Sequence, residues 1–426
     1  MKINGAQKGL VGEISVPGDK SISHRSIIIS SLSTSNSIIE NLLESEDVKR
    51  TIEAFRDMGV NIIKEDNKYF VEGVGLRGLK KPKRPIDCGN SGTTARLLTG
   101  MLAGQKFDST IVGDKSLSMR PMDRVILPLT SMGAKIKGRM NKYLPINISS
   151  AEHKLKAINY ELPVASAQVK SAILLATLYA EGKTTIKENK VTRDHTERML
   201  KYFGCNIYKE KNIIYMDSNS ILMGKKIYVP GDISSASFFI VAAAIIKGSN
   251  LIIRNVGINP TRTGVIDVLK KMGADIKVIN KKEVNNEPMG DIVIKYSPLK
   301  GTAIDGQIVG TLIDEIPILA VAASLAEGVT VIKGAGELKY KESNRLKAIY
   351  KELTKMGANV KELEDGLIIE GFEELKAAKL DSYNDHRMAM ALSIAALKAK
   401  GQSEIIGYQS VNISYPNFYD TLYSFC

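Results

Sequence analysis

One pattern returns along this chain at nearly constant spacing: an amphipathic helix ending in Met or Phe, then Gly, then a strand. It stands at Met58-Gly59-Val60-Asn61-Ile62, Met132-Gly133-Ala134-Lys135-Ile136, Phe203-Gly204-Cys205-Asn206-Ile207, Met272-Gly273-Ala274-Asp275-Ile276 and Met356-Gly357-Ala358-Asn359-Val360. Successive glycines lie 74, 71, 69 and 84 residues apart, and 426 residues divided by six is 71. A fixed period marks a repeated supersecondary unit that buries its apolar face only by stacking on its neighbours. Gly at the end of each helix reads as a C-cap, from which the chain turns into a strand.

A second helix type precedes each of these, opening with polar residues and continuing in Ala, Ile and Leu. The six are Lys20 to Leu32, Ser91 to Ala103, Ala167 to Ala180, Ala236 to Ile246, Asp314 to Ala326 and Asp385 to Ala399. Helices apolar all round are expected inside their domain. Most end in Gly (Gly104, Gly182, Gly248, Gly328, Gly401) and lead into strands such as Thr184-Thr185-Ile186. The last unit lacks a closing strand, which residues 1 to 13 are free to supply. Val16-Pro17-Gly18-Asp19-Lys20-Ser21 recurs as Val229-Pro230-Gly231-Asp232-Ile233-Ser234 and marks two halves. The expected fold is α/β: one domain of three units over 14–228, and a second over 1–13 plus 229–426. The chain then crosses twice, near residues 14 and 229, and Pro-Gly beside each crossing reads as a hinge.

At 44% hydrophobic and 25% charged the chain is globular rather than disordered. Its longest apolar run, Phe238 to Ile246, is far short of the roughly 20 residues of a membrane span. With no apolar signal core at Met1–Gln7, a cytoplasmic location is expected. Cys88, Cys205 and Cys426 are odd in number and far apart, which argues against a disulfide framework. The four His lack metal-ligand spacing. A net charge of +13 suits nucleic acid or small anions. The densest cluster, Lys80-Lys81-Pro82-Lys83-Arg84-Pro85, is broken by prolines and reads as a solvated connection.

The polar openings of the buried helices are the candidate site. A helix N-terminus offers unpaired N–H groups and about half a positive charge, which attracts phosphate or carboxylate. The openings here add cations and hydroxyls: Lys20-Ser21-Ile22-Ser23-His24-Arg25, Asn90-Ser91-Gly92-Thr93-Thr94, Ser166-Ala167-Gln168 and Asp385-His386-Arg387. Capping alone selects Ser, Asn and Asp, so the added Lys and Arg carry the argument. Gly73-Val74-Gly75-Leu76-Arg77-Gly78 matches a dinucleotide fingerprint, but the Lys/Pro-rich segment after it is unable to open a helix. Arg120 stands before Pro121, read as a helix start. Lys339 to Arg345 reads as the opening of another helix, with Lys341 and Arg345 on one face and Glu342 beside them.

Pro17 to Arg25, Gly89-Asn90-Ser91-Gly92-Thr93, Arg120-Pro121-Met122, Lys341-Glu342-Ser343-Asn344-Arg345 and Asn384-Asp385-His386-Arg387-Met388-Ala389 together resemble the 5-enolpyruvylshikimate-3-phosphate synthases, in order along essentially the whole chain. The resemblance implies the enolpyruvyl transferase fold, an inside-out α/β barrel of βαβαββ-type units around buried parallel helices, closing on two substrates. It implies transfer of enolpyruvyl from phosphoenolpyruvate to the 5-hydroxyl of shikimate-3-phosphate, by addition to a tetrahedral intermediate and elimination of phosphate. It implies no metal, no cofactor, no nucleic-acid or membrane partner, and a monomer. Carried over by motif, Lys20, Ser21, Arg25, Ser166, Ala167, Gln168, Arg193, Asp314 and Lys341 match shikimate-3-phosphate contacts. Lys20, Gly92, Arg120, Gln168, Arg345, His386 and Arg387 match phosphoenolpyruvate contacts. Asp314 resembles the base at the 5-hydroxyl, Glu342 the acid that protonates the methylene carbon, and Lys20 a partner in that step.

Charge supports the substrates independently. Each brings a carboxylate and a phosphate of about −1.5 to −2. Lys20, Arg25, Arg120, Arg193, Lys341, Arg345 and Arg387 offset them, and the forked guanidinium suits both groups. Two departures stand out: Ile413, where many members place a Lys that contacts the donor, and Ala167, where others have a second Ser. The resemblance implies glyphosate sensitivity, since some family members tolerant of it carry a side chain where Gly92 stands, and Ile413 is the departure that bears on that expectation. The nearest rival, a UDP-N-acetylglucosamine enolpyruvyl transferase, carries a reactive Cys in the loop matching Gly113–Pro121, where this chain has none. A basic RNA-binding protein would show stacking aromatics, but Trp is absent and Phe numbers nine.

Overall fold

The computed structural model describes residues 1–371 and 374–425, so Cys426 lies outside the described residues. The six apolar segments are helices: Lys20–Ser31, Gly92–Leu102, Ala167–Thr177, Ile233–Ile245, Ile316–Ser324 and His386–Lys398. In the fourth every residue is buried. Five begin at a side-chain cap, where Asp19, Ser91, Ser166, Asp232 or Asp385 accepts from a main-chain N–H of the first turn. The other, Ile316–Ser324, opens two residues later than expected, because a 3-10 turn over Ile313–Glu315 precedes it. Asp314 therefore sits on that turn and not inside the helix.

The five glycines read as C-caps all have positive φ, from +87° at Gly357 to +106° at Gly204. Each follows an amphipathic outer helix; Glu46–Asp57 buries Val48, Ile52 and Phe55 and leaves its charged face to water. Behind the caps the strands form open sheets with one recurring order. In the third unit Asn159–Glu161 runs parallel to Lys183–Lys187, which pairs antiparallel with Ile213–Asp217, and that with Ile207–Glu210. The parallel strand of the first unit is not the one that precedes its helix. Val11–Ser15 pairs instead with Asn250–Gly257 in the fourth unit, and Lys226–Tyr228 pairs with Ser37–Glu40 in the first. Lys2–Asn4 pairs antiparallel with Gln402–Ile406 and supplies the strand the sixth unit lacks.

These exchanged strands set the boundaries of two compact units. One holds Met1–Pro17, Pro230–Lys282 and Pro288–Cys426; the other holds Gly18–Val229 with Glu283–Glu287. The first crossing thus falls at Pro17/Gly18, a few residues after the expected position, because Val11–Ser15 stays in its sheet with Asn250–Gly257. The short segment Glu283–Glu287 is a third departure that the repeats did not signal. Each unit has its own apolar core, one built around Ile27, Leu98, Ile173 and Phe203, the other around Phe239, Leu319 and Leu392. No described helix is long and apolar enough to cross a membrane.

Candidate active site

The unit Gly18–Val229 gathers its candidate residues at the capped ends of three buried helices. Lys20 is the first residue of its helix, and its Nζ meets Asp47 Oδ2 at 2.5 Å. Arg25 lies one turn on and is buried. Its Nη1 donates to the Ser21 carbonyl at 2.8 Å, its Nε to Thr196 Oγ1 at 2.6 Å and its Nη2 to Ser171 Oγ at 2.8 Å. Burial lowers its pKa to about 10, with Glu197 and Asp19 opposing and the nearby Arg193 adding to the fall. A cation held in that state gains from any anion that reaches it. Arg193, half-buried, lies just ahead of helix His195–Tyr202.

Gly92, Arg120 and Gln168 form a second group in the same unit. Gln168 Nε2 donates to Thr93 Oγ1 at 3.0 Å, and its Oε1 accepts from Arg96 Nη1 at 2.9 Å. Arg120 Nη2 donates to Asn90 Oδ1 at 2.7 Å. Ser166 Oγ is a cap that accepts from Val169 N at 3.4 Å, and Ala167 begins that helix. Pro121 is not a helical residue; the helix starts at Asp123, so Arg120 belongs to an extended segment held by Asn90. The two groups connect through buried polar contacts: His24 Nδ1 to Thr51 Oγ1 at 2.7 Å, Thr51 to Thr94 at 2.8 Å, and Thr94 to Ser91 at 2.7 Å. Burial, then Lys20 and Arg25, push the His24 pKa well below its ordinary value, so it is a neutral spacer.

The other unit builds its group around Asp314, which is 8% exposed. Asp314 Oδ1 accepts from Lys341 Nζ at 3.3 Å and Arg345 Nη1 at 3.2 Å. Arg345 Nη2 donates to Glu342 Oε2 at 2.7 Å. Lys341 and Arg345 do not share a helix face as expected. A 3-10 turn over Gly336–Tyr340 leaves Lys341 extended, and the helix begins only at Arg345, so the two cations converge on Asp314 from different segments. Arg345 Nε and Nη2 also grip both oxygens of Asp385, at 2.8 and 3.1 Å. Burial alone would lower the Arg345 pKa, but Asp385, Glu342 and Asp314 raise it above its ordinary value. Asp385 in turn is held below the usual carboxylate range: burial opposes this, and Arg345 prevails. Its Oδ1 accepts from Arg387 N at 2.9 Å, which seats the buried His386 and the half-buried Arg387 at the start of their helix.

Sequence reasoning named the cations and missed the acids and hydroxyls that aim them. Asp47, Thr196 and Ser171 carry no motif of their own, and their role appears only once helices meet. Asp385 and Asn90 lay inside quoted motifs and read merely as caps. Each unit carries a cluster of cations with carboxylates beside them, Asp47 at Lys20 in one and Asp314, Glu342 and Asp385 at Arg345 in the other, a setting that suits phosphate or carboxylate groups.

The fold is shared with solved structures. EPSP synthase from Acinetobacter baumannii superposes with a TM-score of 0.90 at 45% identity, covering 99% of this chain and 97% of that one. The enolpyruvyl transferase NikO from Streptomyces tendae follows at 0.81 and 17% identity, over 100% and 96% of the two chains, a likeness of fold alone. The architecture is that of the enolpyruvyl transferases. The model of the family EPSP synthase (3-phosphoshikimate 1-carboxyvinyltransferase) matches residues 5–422. Relatives named 3-phosphoshikimate 1-carboxyvinyltransferase share 52% identity in Thermoanaerobacter sp. (strain X514), over 97% of each chain. In Listeria monocytogenes serovar 1/2a the figure is 48%, over 100% of this chain and 99% of the relative. This chain belongs to the EPSP synthase family and is an enzyme of carboxyvinyl transfer.

Proposed function

We propose that the two groups of residues serve one reaction, in which the 5-hydroxyl oxygen of shikimate-3-phosphate displaces the phosphate of phosphoenolpyruvate from its C2 carbon. Arg25, Arg193, Ser21, Ser166 and Gln168 take shikimate-3-phosphate, with Lys341 reaching its hydroxyls. Arg120, Arg345, Arg387, His386 and Gly92 take phosphoenolpyruvate, and Lys20 reaches both. In the addition step Asp314 accepts the 5-hydroxyl proton as its oxygen bonds to C2. Glu342, with Lys20, delivers a proton to the methylene carbon, which becomes a methyl group. In the elimination step a proton leaves that methyl group, the C2–O bond to phosphate breaks, and the enol ether forms.

The observation that carries this reading is the paired setting of Asp314 and Glu342 on one guanidinium, Arg345. Two carboxylates with distinct neighbours are able to divide base and acid roles. Asp314 lies beside Lys341, Arg345 and Arg387, while Glu342 lies beside Arg345. Phosphate release in the presence of both substrates, and in neither alone, tests the reaction. We carry a monomer working in the cytoplasm as part of the same proposal; a solution mass near 46.6 kDa tests the first half.

A further inference from the structure

The second Pro-Gly-Asp sequence, ending in Asp232, has no substrate contact in this reading, yet it begins a buried chain of charges that ends at Arg387. Asp232 Oδ1 accepts from Ser234 N at 2.8 Å and caps its helix. The same oxygen takes Arg262 Nη2 at 3.2 Å. Arg262, 2% exposed, also donates from Nη2 to Ser234 Oγ at 2.7 Å. Ser234 Oγ donates in turn to Glu315 Oε1. That oxygen also accepts from Arg387 Nη1 at 3.4 Å.

Glu315 is fully buried and is the residue after Asp314. The two carboxylates face the same guanidinium. Arg387 Nη1 donates to the Asp314 carbonyl at 3.2 Å as well as to Glu315, while its Nη2 stays 3.7 Å from Asp314 Oδ2. A guanidinium prefers two parallel bonds to one carboxylate. Without the negative charge of Glu315, the hydrogen bond from Arg387 Nη1 to the Asp314 carbonyl is left to oppose a shift of Arg387 into such a pair with Asp314. That pair would occupy the base and turn the cation from the donor. A buried carboxylate is costly unless compensated; Ser234 Oγ donates to Glu315 directly, and Arg262 holds that Ser234 hydroxyl.

We propose that Glu315, held by Ser234, which Arg262 holds in turn, is a positioning residue that keeps Arg387 on the phosphoenolpyruvate and off the Asp314 carboxylate. This rests on the assignment of Arg387 to the donor and Asp314 to the base. The second Pro-Gly-Asp copy thereby gains a purpose: its Asp orients a donor-binding cation instead of preceding a substrate-binding Lys, because Ile233 stands where the first copy has Lys20.

Steady-state phosphate release with shikimate-3-phosphate and phosphoenolpyruvate tests it. Glu315→Gln should raise KM for phosphoenolpyruvate about tenfold, with KM for shikimate-3-phosphate changed less than about twofold. Glu315→Asp, which keeps the charge, should recover part of the loss. In an Arg387→Lys background Glu315→Gln should add little, since the two act as one unit. Unchanged KM for the donor in Glu315→Gln, or additive effects in the double variant, would overturn the proposal. If Glu315→Gln does not fold, Ser234→Ala carries the test, with a rise of about threefold in the same KM expected and no change contradicting it. An ordinary donor KM in Arg387→Lys alone would sink the donor assignment itself, and the proposal with it, which separates that failure from one confined to Glu315.

Discussion

Glu342 Oε2 accepts from Arg345 Nη2, and the half-buried side chain lies between the 3-10 turn Gly336–Tyr340 and the helix that starts at Arg345. Glu342→Gln removes the proton and keeps the shape, so kcat should fall about a hundredfold or more while both KM values stay within about threefold. A variant that loses affinity at full turnover would show that Glu342 binds and does not protonate. Gly92 is constrained differently. A Cβ there would lie 2.7 Å from Arg96 Nη1 and 3.6 Å from Arg120 Nη1. The Arg96 tip is the end of a flexible chain, so Gly92→Ala should fold, displacing Arg96 from Gln168. Donor KM should rise several-fold, and glyphosate, expected to compete with phosphoenolpyruvate, should weaken further. Uncompetitive or absent inhibition of the parent enzyme would contradict that expectation. His24 tests burial. Its folded pKa lies below the ordinary 6.5, so the unfolded chain takes a proton first and stability is lost as pH falls below that value. Thermal scans at falling pH should show this loss, and a smaller one in His24→Gln; equal slopes would show that His24 contributes none of it.

Among the elements, helices and their caps were the most legible part of the sequence. Their period is strong, and Ser91, Ser166 and Asp19 announce where each begins. Sheet membership was not legible in the same way. The strand Val11–Ser15 precedes the helix Lys20–Ser31, yet it pairs with Asn250–Gly257, a partner no local pattern names. The opening of the Arg345 helix was misplaced for a related reason: the Lys and Glu ahead of it have helix-compatible chemistry, and only the 3-10 turn over Gly336–Tyr340 holds them out. The closing strand of the sixth unit is open to test. Ile3 is 1% exposed and sits opposite Ser403 in that sheet. Ile3→Ala should cost about 2–5 kcal/mol, read by denaturant unfolding. A shift under about 0.5 kcal/mol would mean that the terminal strand does not hold that sheet.

For the molecule as a whole, repetition marked a two-part α/β architecture and the charge left nucleic acid or small anions open; the motifs chose the enzyme. The candidate cations were readable because Lys and Arg at helix openings are unusual there. The carboxylates and hydroxyls that orient them were not, because Asp47, Glu315 and Thr196 come from elements distant in sequence from the residues they hold. Both halves of the chain carry part of the set, with Lys20, Arg25 and Arg120 in one and Asp314, Glu342 and Arg387 in the other. The proposed function has both sets serve one transfer. The most direct measurement is inorganic phosphate release by the purified full chain given shikimate-3-phosphate and phosphoenolpyruvate. Release that needs both substrates, matched by an equal amount of enolpyruvyl product, is the predicted result. A folded protein that releases no phosphate, or releases it from phosphoenolpyruvate alone, would contradict the account.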